Sequence, residues 1–244
     1  MFQLTISVNS SNTAVCSAFI KNIIYSKVTD YSVCINSQMS GMVYVCFGAE
    51  QRNKNKIIST VKECLVKVYL TVIKKEYMEK HLRIFHASKV SQLLLLNTLV
   101  AFDRVSEDSL LRDELELGTN FNIDGFFNFR MTELKNRWRD VCKLASEHSE
   151  YLSSEDTVNE LLKFLITAVN SKVSKAEIRQ DGNSIEVVEY ASETPQLITF
   201  DDYEQLMLYL IDTAPKKIII KGYLKNKYYR ERISHIFDAV ENYF

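Results

Sequence analysis

The chain has 244 residues, 46% hydrophobic and 25% charged, which is enough for one large globular domain or two small ones. Its formal charge of −1 excludes a general electrostatic attraction to nucleic acid or to anionic membranes, so any polyanion site must be local. Six glycines and two prolines exclude long flexible linkers and a turn-rich all-β fold, and we expect helices to dominate.

The first 48 residues predict a β-α-β-β unit. Apolar and polar residues alternate at the start of the chain, as in a half-buried strand, and a helical pattern follows from about residue 13 to residue 24. Two short apolar segments, 31–35 and 42–47, then flank polar residues and Gly41, an arrangement typical of a β-hairpin.

Residues 49–172 predict a helical region. Apolar residues recur at spacings of three and four from about residue 51 to residue 83, which indicates a long helix. A second helix is predicted over residues 88–115, ending near Gly118, and another over residues 156–170.

The stretch GFFNFRM, residues 125–131, opens a further predicted helix. Its apolar stripe is Phe127, Met131, Leu134, Trp138, Val141 and Ala145. The alternative is a strand whose aromatic rings stack on RNA bases, but Arg130 and Met131 stand where that pattern needs an apolar residue and an aromatic one. We therefore expect the phenylalanines to anchor a helix in the protein core.

Residues 173–244 predict a β-β-α-β-α unit. The sequence DGN at 181–183 is a strong hairpin turn signal, and Pro215 ends the helix that follows. The run 218–220 indicates a buried strand, and the last helix is predicted to carry Val240. The predicted fold class is α+β: a helical central region flanked by two units of strands and helices, whose strands form one shared sheet or two.

Positive charge is concentrated in two segments, 52–83 and 216–232. If they form a basic surface, several phosphates could be neutralised together, and binding of nucleic acid or another polyanion would depend on salt. The candidate binding residues are Lys74, Lys75, Lys216, Lys217, Lys221 and Arg230. An acidic protein partner, or self-association through the acidic runs of the chain, is an equally open interpretation.

No catalytic, nucleotide-binding or metal-binding motif occurs in the sequence. The five cysteines form no CxxC pair, which favours a reducing cytoplasm, and the histidines lack ligand spacing, so we expect no metal and no cofactor. The histidines are His81, His86, His148 and His235. An enzyme built from dispersed residues is an alternative that a pocket joining Arg130, His148 or His235 to carboxylates would support.

We expect neither a signal peptide nor a membrane span. The N-terminus lacks a basic region followed by an apolar block. The most apolar run, residues 93–102, is shorter than the roughly 18 residues that a transmembrane helix needs.

GFFNFRM, followed by LIDTAPKKIIIK and ISHIFDAVENYF, resembles the YtxC family of sporulation proteins from endospore-forming Firmicutes, most clearly over residues 121–244. The family has a Gly-Phe-aromatic-x-Phe-Arg helix start and then an Ala-Pro-Lys-Lys-Ile-x-Ile strand. The matching positions, for which we expect structural roles, are Gly125, Phe126, Phe127, Phe129, Arg130 and Pro215. The resemblance implies a cytoplasmic, sporulation-associated protein and supplies no catalytic residue. We expect a non-enzymatic protein that acts through protein-protein contacts.

Overall fold

The computed structural model describes residues 1–83, 87–147, 154–191 and 194–242 and confirms the predicted α+β class. The strands are β1 (Phe2–Asn9), β2 (Val33–Met39), β3 (Met42–Ala49), β4 (Asn120–Asn122), β5 (Lys175–Asp181), β6 (Ser184–Tyr190), β7 (Gln196–Phe200), β8 (Ile218–Lys221) and β9 (Val240–Asn242). The helices are α1 (Thr13–Tyr25), α2 (Lys54–Val68), α3 (Lys74–His81), α4 (Lys89–Ala101), α5 (Arg104–Glu114), α6 (Ile123–Phe129), α7 (Thr132–Glu147), α8 (Glu155–Thr167), α9 (Tyr203–Thr213) and α10 (Lys227–Phe237).

The chain forms two compact units, each built from two separate stretches of sequence. The N-terminal unit comprises Met1–Lys80 and Val105–Asp140, and the C-terminal unit comprises His81–Arg104 and Val141–Phe244. The segment 49–172, predicted as a helical region, is therefore divided between both units. The strands form two separate sheets, which answers the question of one shared sheet or two.

The N-terminal unit contains a mixed sheet in the order β2-β3-β1-β4. Strands β2, β3 and β1 are antiparallel neighbours, and β4 runs parallel to β1. The predicted β-α-β-β order and the predicted hairpin are both present. Ser40 and Gly41 form its two-residue turn, with φ of 52° and 76°, and positive φ at both positions is what a type I′ hairpin turn requires.

One face of this sheet carries the core. Leu4, Ile6 and Val8 of β1 are buried on it, opposite Phe47, Val45 and Val43 of β3. This is the period-2 burial that the alternating N-terminal sequence predicts. The side chains at intervening positions therefore point to the other face.

Two predicted helices are interrupted. The helix predicted over residues 88–115 ends at Ala101, and α5 begins at Arg104, because Asp103 adopts a positive φ of 55°. The stripe from Phe127 to Ala145 spans two helices, since α6 ends at Phe129 and α7 begins at Thr132. Apolar periodicity continues through both breaks, so it gives no signal of them.

The C-terminal unit contains a second mixed sheet in the order β7-β6-β5-β8-β9. The predicted hairpin is confirmed: β5 and β6 are antiparallel, and Gly182 in the turn has a φ of 57°. Strand β8 runs parallel to β5, with Ile218 and Ile220 buried. Val240, predicted on the last helix, instead begins β9, because α10 ends at Phe237 and Asp238 adopts a positive φ.

His86 and His148 lie outside the described residues.

A buried ion pair lies inside the N-terminal unit. Lys74, at the start of α3 directly after the π-helical turn Tyr69–Ile73, donates to both carboxylate oxygens of Glu107, at 2.8 and 2.7 Å. Trp138 Nε1 donates to the same carboxylate at 2.8 Å. Lys74 is 1% exposed and Glu107 is 3% exposed. Lys74, predicted as a binding residue on a basic surface, therefore lies in the core.

Lys74→Met is expected to lower the free energy of unfolding by about 3 to 5 kcal/mol, because it leaves the Glu107 carboxylate buried without its ammonium partner. Urea unfolding followed by circular dichroism measures this change. Lys75→Met is the matched control, since Lys75 is only half-buried and has no ion-pair partner among the described residues. Equal losses of unfolding free energy in Lys74→Met and Lys75→Met would show that the buried ion pair contributes no more to stability than the half-buried Lys75 side chain.

Candidate functional site

The GFFNFRM stretch begins at a capped helix. The side-chain oxygen of Asn122 accepts a hydrogen bond from the backbone N–H of Gly125 at 2.5 Å, which satisfies one of the free donors at the start of α6. A Cβ at Gly125 would lie 2.9 Å from that oxygen, closer than side chains normally pack. Glycine at this position therefore permits the cap.

The three phenylalanines have three different environments. Phe126 is buried, with ring centroids of Tyr69 and Phe121 at 5.5 and 5.3 Å. Phe127 is half-buried, 6.0 Å from the Tyr77 ring, whereas Phe129 is 82% exposed. The expected anchoring role is thus met by Phe126, only in part by Phe127, the predicted first residue of the stripe, and not by Phe129.

Arg130 lines a small cavity in the N-terminal unit together with three carboxylates and several apolar side chains. The lining residues are Leu110, Leu111, Asp113, Glu114, Arg130, Met131, Glu133 and Leu134. Its volume is about 80 Å³. Ligand pockets usually enclose about 300 to 1,000 Å³, so this cavity has room for a few water molecules and not for a metabolite.

Two of the four predicted basic residues in the C-terminal unit, Lys221 and Arg230, are engaged by carboxylates of the same unit. Lys221 contacts Glu177 at 2.6 Å, and its hydrogen bond is the main reason that the pKa of Glu177 lies below its usual value. Arg230 lies 3.5 Å from Glu241, with its guanidinium over the Tyr223 ring. These side chains are therefore only partly available to a polyanion.

Lys216 and Lys217 differ from the other candidates. Both are exposed, and neither has an ion-pair partner among the residues that the structure describes. They follow Pro215, which is buried directly after the left-handed Ala214 that ends α9.

A cleft of about 330 Å³ beside these two lysines lies where α8, α9 and α10 end. Lys163 also lines it and pairs with Asp238 at 2.5 Å. Helix C-termini carry partial negative charge, which favours cations beside them. The partial negative charge of the neighbouring helix ends therefore explains in part why three lysines lie here. An anion entering the cleft would be attracted by the lysines and repelled by the helix ends.

The most distinctive surface of the molecule is one that the sequence reasoning missed: the outer face and free edge of the N-terminal sheet. The outward positions are Gln3, Thr5, Ser7, Asn9, Val33, Ile35, Ser37, Met39, Met42, Tyr44, Cys46, Gly48, Asn120 and Asn122. None of them is charged, although a quarter of the chain is. Val33, Ile35 and Met39 on the edge strand β2 are 61% to 65% exposed.

Strand β2 also lacks the usual protection of a sheet edge. Proteins commonly guard edges with charged side chains, prolines or very short strands. From Val33 to Gly48 the sequence contains no charged residue and no proline. By contrast, β7 lies between Pro195 and Asp201, β9 contains Glu241, and β4 has three residues.

The hairpin turn determines which main-chain groups of β2 face solvent. In a two-residue hairpin the residues flanking the turn, here Met39 and Met42, form a hydrogen-bonded pair, and such pairs alternate along the strands. Ser37 and Ile35 therefore also bond to β3. The N–H and C=O groups of the alternate residues Cys34, Asn36 and Gln38 point away from the sheet, so this edge can accept another strand.

Comparison with protein-family models, with curated proteins and with solved structures finds no match to this chain. Within the described ranges, no helix has the length and apolar character needed to cross a membrane. The same ranges contain no cluster of three histidine, cysteine or acidic residues placed to hold a metal ion.

Proposed function

We propose that this chain is a sporulation-associated protein of the YtxC kind, located in the cytoplasm of endospore-forming Firmicutes, and that it acts through protein contacts instead of catalysis. The resemblance of GFFNFRM and the Ala-Pro-Lys-Lys segment to that family supports the biological setting. The surface for those contacts is the edge strand β2 with the uncharged outer face of its sheet.

The observation that carries this proposal is the exposure of β2 without charge or proline. Adding a strand to such an edge satisfies main-chain groups of both partners, and the exposed side chains of Val33, Ile35 and Met39 supply apolar area. An apolar surface left open on a folded protein commonly marks an interaction site. The small Arg130 cavity offers no comparable support for catalysis.

Ile35→Lys is expected to abolish partner capture, because it places a charge on the edge strand. The wild-type chain and the variant serve as baits in extracts of sporulating cells, and each partner found is identified, purified and tested for direct binding. Val105→Lys is the matched control, since Val105 and Ile35 are both 61% exposed. The proposal fails if no purified partner binds directly, or if Ile35→Lys and Val105→Lys bind it equally well.

Anion binding at Lys216 and Lys217 is the second candidate function. It is favoured by the absence of an ion-pair partner for either lysine among the described residues, and by the adjacent 330 Å³ cleft. Because Lys221 and Arg230 are already engaged by carboxylates, the candidate site is smaller than the predicted segment 216–232.

Lys216→Glu/Lys217→Glu is expected to weaken the binding of single-stranded nucleic acid at low salt at least tenfold if this site binds polyanions. Gel retardation over a salt series measures it, since phosphate contacts give a salt-dependent affinity. Lys21→Glu/Lys89→Glu changes the net charge equally at exposed positions outside both basic segments. Absence of a shift for the wild-type chain, or equal weakening in both variants, would rule the site out.

A further inference from the structure

We infer that the strand which β2 accepts is the β2 strand of a second copy of this chain, paired antiparallel about a two-fold axis at Asn36. The inference rests on the proposed function, because it names the partner for the same edge. In this dimer the two four-stranded sheets join into one sheet across the axis, and their uncharged outer faces lie side by side.

The main-chain geometry selects this register. Only Cys34, Asn36 and Gln38 direct hydrogen-bonding groups outward, so a partner strand must align with these three residues. Pairing Asn36 with its copy places Cys34 opposite the Gln38 of the other chain at both ends. Each of the three pairs exchanges two hydrogen bonds, which gives six between the chains, and any shift of register leaves fewer.

The side chains are self-complementary in the same register. Val33 lies opposite Met39 of the other copy, and Ile35 lies opposite Ser37, so that the exposed apolar groups of both edges come together. In such an antiparallel pair of identical strands, charges close to the axis would lie beside their own copies and repel, and β2 has no charge.

The lack of charge also favours a second copy over an unrelated strand. Charge is one of the means by which an interface rejects wrong partners. Strand β2 carries no charge that could do so. Its antiparallel copy, however, places Met39 opposite Val33 and pairs the outward main-chain groups of Cys34, Asn36 and Gln38. A two-fold contact of this type is the commonest way in which identical chains associate.

The mass of the purified chain in solution tests the dimer. Sedimentation equilibrium over a range of micromolar concentrations should give twice the 28.3 kDa chain mass at the upper end. Asn36→Lys places two ammonium groups beside the axis, and Asn36→Pro removes an outward N–H without touching a bond to β3. Both variants should sediment as single chains with unchanged circular dichroism, while Asn36→Thr should remain a dimer.

Disulfide formation between two different variants tests the register. With Cys34 and Cys46 changed to serine, Val33→Cys and Met39→Cys proteins should form a linked heterodimer on mixing under oxidation. These positions face each other in a non-hydrogen-bonded pair, whose Cα atoms are about 4.5 Å apart, within the range for a disulfide. Neither variant should link to itself, because its two copies of the cysteine are offset by about 20 Å along the strands.

A single-chain mass for the wild-type protein at every concentration overturns the dimer, and so does a dimer that Asn36→Lys and Asn36→Pro leave intact. Self-linking of Val33→Cys as readily as the mixed pair overturns the register. The proposed function has a separate outcome: an edge that stays monomeric yet captures a purified partner, and loses it on Ile35→Lys, supports contacts through β2 with another protein.

Discussion

An open sheet edge leaves a row of main-chain N–H and C=O groups without a protein partner. Every strand in the interior of a sheet has its N–H and C=O groups satisfied on both sides, whereas a terminal strand has one side that only water or another strand can satisfy. In this protein the terminal strand β2 is seven residues long, uncharged and apolar on its outer face. These features favour association, and they distinguish β2 from the shorter or charged edges β4, β7 and β9.

Some charged side chains of this molecule pair with one another inside each unit. Lys74 and Glu107 form an ion pair inside the N-terminal unit, and Glu177 is held between Lys175 and Lys221 in the C-terminal one. Lys74, from the basic segment 52–83, is therefore buried in the fold, and Lys221, from the segment 216–232, is paired with a carboxylate. The contact surface that we propose at β2 has no charge, and its chemistry is that of main-chain groups and apolar side chains.

Much of the fold could be predicted from sequence, because local pattern determines it. The alternation in β1 and the turn signals at Gly41 and Gly182 identify strands and hairpins through rules that act over a few residues. The break at Asp103 could not be predicted, since the apolar pattern runs through it. Burial of Lys74 could not be predicted either, because its partner Glu107 lies 33 residues away and only the tertiary fold brings them together. The open edge at β2 could not be predicted for the same reason: the sequence shows an uncharged hairpin, but only the strand order shows that β2 is at the edge.

Hydrogen exchange of individual amides distinguishes an open β2 edge from one that is covered by a second strand. The amides of Ile35 and Ser37 bond to β3 within the chain, whereas those of Cys34, Asn36 and Gln38 face outward and are slowed only if another strand bonds to them. If β2 pairs with a second copy, all five amides exchange slowly in concentrated wild-type protein, and dilution or Asn36→Lys exposes the outward ones. Pairing at this edge is ruled out if Cys34 and Gln38 exchange as fast as an open loop at every concentration while Ile35 and Ser37 stay protected.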